Sequence, residues 1–220
     1  MGCRCGEASR GHLVLDSQTM EFLLHSLAAN VCLGAGLAGL CGFRAFFPVA
    51  LLGLFSRFGL LGAPDLDGTT FAFMTQTWAI VMFFGLAVLE MGLDKLPLPG
   101  LALDFVFNPL RVVAGALVFA SAMGRHGTVA IIVGAVAGGI IALVAHLARG
   151  ALKPDLRGDE APPTAPFQSL LEDVLVIVGA LALMALPWLG IPVLFFVFFL
   201  VYRVRVRQRR KYRGLRILKD

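Results

Sequence analysis

Apolar runs of membrane-crossing length, separated by short polar breaks, set the pattern of this chain. A hydrocarbon layer about 30 Å thick is crossed by about 20 mostly apolar residues in a helix. The first run, residues 21–61, is too long for one straight span at about 1.5 Å per residue. Gly34, Gly36, Gly39 and Gly42 loosen it, Arg44 interrupts it, and Pro48 suits the first turn of a restarted helix. A broken helix or a helical hairpin both satisfy that pattern. Residues 57–76, with Asp65 and Asp67 among Gly, Pro and Thr, read as a loop.

The next span covers residues 78–94, with Trp78 as an interfacial anchor. Residues 95–111 are too short between their prolines to cross and are expected to lie in the interface or to re-enter. Spans at 111–123 and 129–146 follow, separated by Gly124-Arg125-His126-Gly127. Their Ala114, Gly115, Ala116, Gly134, Ala137, Gly138 and Gly139 favour close helix packing. A loop rich in charge and proline at 149–166 leads to two last spans at 168–186 and 191–202, joined by a turn at 187–192. The fold class expected is an all-α integral membrane protein of about six transmembrane helices. Its domains are a polar tail at 1–20, a helical bundle at 21–203 and a basic tail at 204–220. A chain starting at Met20 is expected to insert as well as the longer one.

Leu86-Ala-Val-Leu-Glu90 matches Gln168-Ser-Leu-Leu-Glu172, which admits two inverted three-helix repeats, the first opening on the broken helix. Charge bias places Lys95, Arg111, Arg149, Lys153, Arg157 and the basic tail on the cytoplasmic side of an inner membrane. Six crossings put both termini inside; a hairpin in the first run makes seven and moves the N-terminus outside.

Composition agrees, with 58% hydrophobic and 15% charged residues, where soluble proteins hold about 25% charged. The net charge of +5 comes from a basic run after the last span, Arg203 to Lys219. Such a run is an anchor for anionic lipid headgroups, not a nucleic-acid site. Cys32 and Cys41 lie in apolar sequence as small hydrophobes, and Cys3-x-Cys5 offers too few ligands for a metal. No cofactor motif or metal motif is present, and neither is the signature of a serine hydrolase, a phosphate loop or a zinc protease. The sequence does not set the oligomeric state, and a homo-oligomer is compatible with it.

The candidate chemistry is charge inside hydrophobic sequence, which costs about 3 kcal/mol per residue on insertion scales. Arg44 sits at the helix break, where a restarting helix aims amide donors and its positive dipole end at an anion; an Arg at a span end also snorkels. Glu90 and Asp94 share a helix face, with Glu90 deeper and suited to a proton, a cation or a pair with Arg44. Asp94 beside Lys95 reads equally as an interfacial pair. Glu172 and Asp173 stand near a span start, where acidic groups also cap. His146 and Arg149 share one helix end, and Asp104 and Arg111 belong to the short segment before the next span.

These motifs together resemble a family. Gly42-Phe-Arg44-Ala-Phe-Phe-Pro48, Leu89-Glu90 with Asp94-Lys95-x-Pro97, Asp104 with Pro109-x-Arg111 and Gly115-Ala116, His146-x-x-Arg149 and Ser169-Leu-Leu-Glu172-Asp173 are similar to a bacterial integral membrane family catalogued as domain of unknown function 4126. The likeness spans roughly residues 30–200. It implies an inner-membrane helical bundle, supplies no reaction, and points to Arg44, Glu90, Asp94, Asp104, Arg111 and Glu172. The expected function is a small transporter, channel or lipid-handling protein with an intramembrane charged site. The alternative is a structural or assembly protein whose tail binds lipid or a cytoplasmic partner. An intramembrane lipid enzyme using Glu90, Asp94 and His146 lacks a nucleophile or metal to support it.

Overall fold

The computed structural model describes residues 27–93, 100–152, 165–196, 199 and 202, with only the backbone described at 100–107, 150–152, 165–169 and 171. Every regular element among them is helical: α1 (Leu27–Cys41), α2 (Phe46–Phe58), α3 (Thr77–Leu93), α4 (Gly100–Ala122), α5 (Thr128–Leu152), α6 (Ala165–Ala185) and α7 (Pro187–Phe196). A 3₁₀ turn, Ala72–Thr75, precedes α3, and α7 opens on another at Pro187–Leu189.

The first apolar run breaks as a hairpin, not as one interrupted rod. Asn30 at the start of α1 bonds through Nδ2 to His126 Nε2 at 3.0 Å, so it lies at the α4–α5 turn. Asp65, just past α2, reaches the same turn, where its carbonyl accepts from Arg125 Nε at 3.0 Å. Both outer ends of the hairpin therefore lie at one pole of the bundle, called here the turn pole. Its tip, residues 42–45, points toward the other. Gly42 is required at the tip, because a Cβ there would stand 2.5 Å from that of Ala145 on α5 and 2.6 Å from the Ala142 carbonyl. Gly59, at φ 58°, stops α2 by returning its N–H to the Ser56 carbonyl, a conformation that favours glycine.

At 15 and 13 residues, the arms are about 22 and 20 Å long. They form the centre of the molecule. From Ala29 to Cys41 only Val31 is exposed, and Phe46 and Pro48 to Gly53 are buried. Around them stand α3 to α7, each packed on one arm or both. The chain enters at the turn pole with α1 and leaves it again with α7, so Leu27 and the end of α7 lie at opposite poles. Of the two arrangements the sequence allowed, this is the one with a hairpin in the first run, whose extra reversal sets the two ends at opposite poles.

The helices expected at 111–123 and 129–146 are longer than the sequence pattern implied. Residues 100–111 belong to α4, which passes through Pro109 without ending. A proline removes one backbone bond but is tolerated where neighbouring helices compensate. Likewise α5 continues through Arg149. These two helices cross closely: a Cβ on Gly115 would meet Ala142 Cβ and the Gly138 carbonyl, and one on Gly138 would meet the Gly115 carbonyl. The small residues thus let two backbones approach, as their spacing suggested.

The core is apolar, and so is much of the outer surface. Apolar residues on the outer faces lie open, among them Val88 (69%), Val133 (61%) and Phe195 (77%), while Arg44, Glu90 and Arg111 are each only 1% exposed. Water-exposed apolar patches of that extent are rare on monomers, and buried charges rarer. One described helix, Thr128–Arg149, is long and apolar enough by itself to cross a membrane.

Candidate functional site

The hairpin tip exposes backbone groups that need partners. Four residues separate α1 from α2, so the Phe43 carbonyl and the Ala45 and Phe46 amides fall at helix ends, where helical bonding is incomplete. Side chains from two surrounding helices supply what is missing. Glu90, in the last turn of α3, accepts the Ala45 N–H at 2.9 Å and the Phe46 N–H at 3.4 Å on its Oε2. Arg149, near the end of α5, donates from Nη1 to the Phe43 carbonyl at 3.1 Å. A carboxylate thus faces the start of one helix and a guanidinium the end of the other, matching both dipoles.

Each of these charges has a charged neighbour. Arg111 Nη2 on α4 donates to Glu90 Oε1 at 3.3 Å, and its Nη1 lies 3.0 Å from His146 Nδ1 on α5. Arg149 Nε donates to Glu172 Oε2 at 2.7 Å. Arg44, on the tip itself, places Nη2 2.6 Å from Asp173 Oδ1. Three arginines therefore meet three carboxylates, from the tip and from α3, α4, α5 and α6, and the ionised charges of these six groups sum to zero. Burial makes the pairing obligatory, since an isolated charge in such a place carries a large desolvation penalty.

Seven of the nine residues singled out in the sequence thus converge: Arg44, Glu90, Arg111, His146, Arg149, Glu172 and Asp173. Asp94 lies outside the described residues, and Asp104 falls in the backbone-only part of α4. The pairing differs from the expected one. The structure joins Arg44 to Asp173 and Glu90 to Arg111, while Glu90 holds the Arg44 segment through its backbone. Glu172 and Asp173 are not N-terminal caps, because α6 starts at Ala165.

A family model matches residues 31–207 of the chain. The chain belongs to the family described as domain of unknown function DUF4126. Every residue of the cluster lies inside the matched region. No curated protein and no solved structure gives a significant match.

Two features escaped sequence reading. One is the use of backbone at the tip, which no side-chain motif encodes. The other is a second polar group at the turn pole, where Asn30, Asp65, Ser121, Arg125 and His126 line a cavity of about 340 Å³. Asn30 was the available signal, a lone amide in apolar sequence. On the side of the hairpin facing α6 and α7, an apolar groove of about 390 Å³ runs past Leu40, Phe43, Gly179 and Phe196. Among the described residues no group of His, Cys, Asp and Glu could hold a metal ion.

Proposed function

We propose that this DUF4126 protein is an integral membrane transporter or channel for a small anionic solute, with its site at the tip of a re-entrant hairpin. The observation that carries the reading is the reception of a carboxylate by the first amides of α2 and by Arg111, within a bundle whose outer faces are apolar. Short helices ending inside a bundle, with a dipole end turned on an anion, are how secondary transporters build substrate sites. Arms of about 20 Å fall short of the 30 Å hydrocarbon layer, so the hairpin enters from the turn pole and its tip lies at depth. Irregular backbone at depth is tolerated only inside protein, where this tip is.

The orientation follows from charge. Helices α3 and α5 end, and α7 points, toward the pole whose connecting sequences carry Lys95, Lys153, Arg157 and the basic tail. That pole is assigned to the cytoplasm, and the turn pole to the opposite side. At the turn pole Arg125 is paired with Asp65 and Arg57 bonds the Thr75 carbonyl. Anionic lipid headgroups are the partners of the basic tail. In this reading α3 to α7 are the crossings and the hairpin is re-entrant, in place of six spans. The inverted repeat is dropped from the reading: an in-plane axis would exchange the poles, but Glu90 and Glu172 share one.

A second reading is favoured by the balance of the cluster, which forms the salt bridges of an assembly scaffold. Reconstitution separates the two. Purified protein in liposomes should release trapped nitrate or chloride faster than protein-free vesicles, and Arg111→Met should abolish the release. Vesicles no leakier with folded protein than without it would exclude the transport reading and leave the scaffold.

A further inference from the structure

We propose that Glu90 is the built-in occupant of an anion site, and that a small planar monoanion takes the place of its carboxylate when Glu90 is protonated. The inference rests on the transport reading for its purpose, but its geometry stands alone. One carboxylate oxygen receives two consecutive backbone N–H groups and the other receives Arg111 Nη2. Those donors are arranged for a planar two-oxygen anion such as formate, bicarbonate or nitrate. Backbone amides at a helix start, and a guanidinium fork, are general anion receptors with no requirement that the anion be a side chain. The occupant is therefore the exchangeable part of the arrangement.

Exchange is set by charge. Around the Glu90 carboxylate stand Arg111 on α4, backed by His146 on α5; Arg44 at the tip, backed by Asp173 on α6; and Cys41 at the end of α1. A proton on Glu90 removes one negative charge from this balanced group and leaves the amides and Arg111 facing a neutral acid. A monoanion restores both the charge and the hydrogen bonds. When it departs, the proton leaves with it and the carboxylate returns. One proton thus accompanies each anion. The tip needs an anion in both states, which explains why a carboxylate on α3 reaches across to cap α2.

Removal of the side chain tests this directly. Thermal unfolding of the full chain in mild detergent is followed for wild type, Glu90→Ala, Glu90→Gln, and Glu90→Ala with Arg111→Met. Each is titrated with sodium formate against sodium gluconate, a carboxylate too bulky for the cradle. Formate at about a hundred times its dissociation constant should raise the unfolding temperature of Glu90→Ala by at least about 5 °C over gluconate. Wild type at neutral pH and the double variant should not respond. Glu90→Gln keeps the side-chain volume, leaves the same positive excess and should also be stabilised, which covers failure of the alanine variant to fold. No formate-specific gain in either single variant overturns the proposal, whatever the vesicles do. Gain in the variants without nitrate release in liposomes upholds the anion cradle and refutes transport. With both present, wild-type release should fall several-fold from pH 6 to pH 8, and that of Glu90→Gln should not; a pH-independent wild type overturns the exchange.

Discussion

Replacing Arg149 with methionine removes one side chain that serves two elements at once. The Nε bond to Glu172 at 2.7 Å and the Nη1 bond to the Phe43 carbonyl at 3.1 Å both go. Methionine fills much of the same space, so the loss is electrostatic. Breaking a buried pair by removing one partner costs about 3 to 5 kcal/mol, because the other charge is stranded. The orphaned carbonyl adds about 1 to 3 kcal/mol. Glu172 keeps 14% of its side-chain exposure against 4% for Arg149, so its charge is stranded less completely, and the expected total is about 4 kcal/mol. For a chain of this size that is a fall of about 10 °C in unfolding temperature. Adding Glu172→Gln removes the stranded charge and leaves mainly the carbonyl, so the double variant should recover at least about 2 kcal/mol relative to the sum of the singles. The assay is thermal unfolding in mild detergent for all four corners of the cycle. Additivity within about 0.5 kcal/mol would refute the pair, and an Arg149→Met variant as stable as wild type would refute the role of Arg149 at the tip.

Other positions test the architecture. Val133→Arg, on the exposed face of α5, should lower membrane insertion by about 3 kcal/mol, as measured in a glycosylation reporter; a water-facing site would shift by no more than about 0.5 kcal/mol. Gly115→Val should destabilise by at least about 2 kcal/mol in detergent unfolding, since the new side chain meets Ala142 and the Gly138 carbonyl; native stability would mean that the two helices do not cross there. In a cysteine-free background, Thr128→Cys at the turn pole should label with an impermeant maleimide added outside intact cells, and a cysteine after Asp220 should not. Labelling of both from one side would refute three crossings by α5, α6 and α7.

Much of the helical content was legible in the sequence, because apolar runs of bilayer length have few other solutions. The glycines at 115 and 138 announced a close crossing, and charges placed among apolar residues had to be buried together or lose several kcal/mol each, so seven of the nine candidates meet. Helix ends were less legible: α4 begins before Pro109 and α5 outlasts His146, since neighbouring helices hold turns that local propensity would end. The tertiary structure alone decided between broken rod and hairpin. Gly42 and Arg44 allow either, and the choice depends on Asn30 and Asp65, thirty-five residues apart, both reaching the α4–α5 turn. It also decided which carboxylate serves which arginine. Opposite charges attract without regard to sequence position, so the sequence specified that Arg44, Arg111 and Arg149 would need partners, and only the placement of α3 and α6 around the tip assigned Asp173, Glu90 and Glu172 to them.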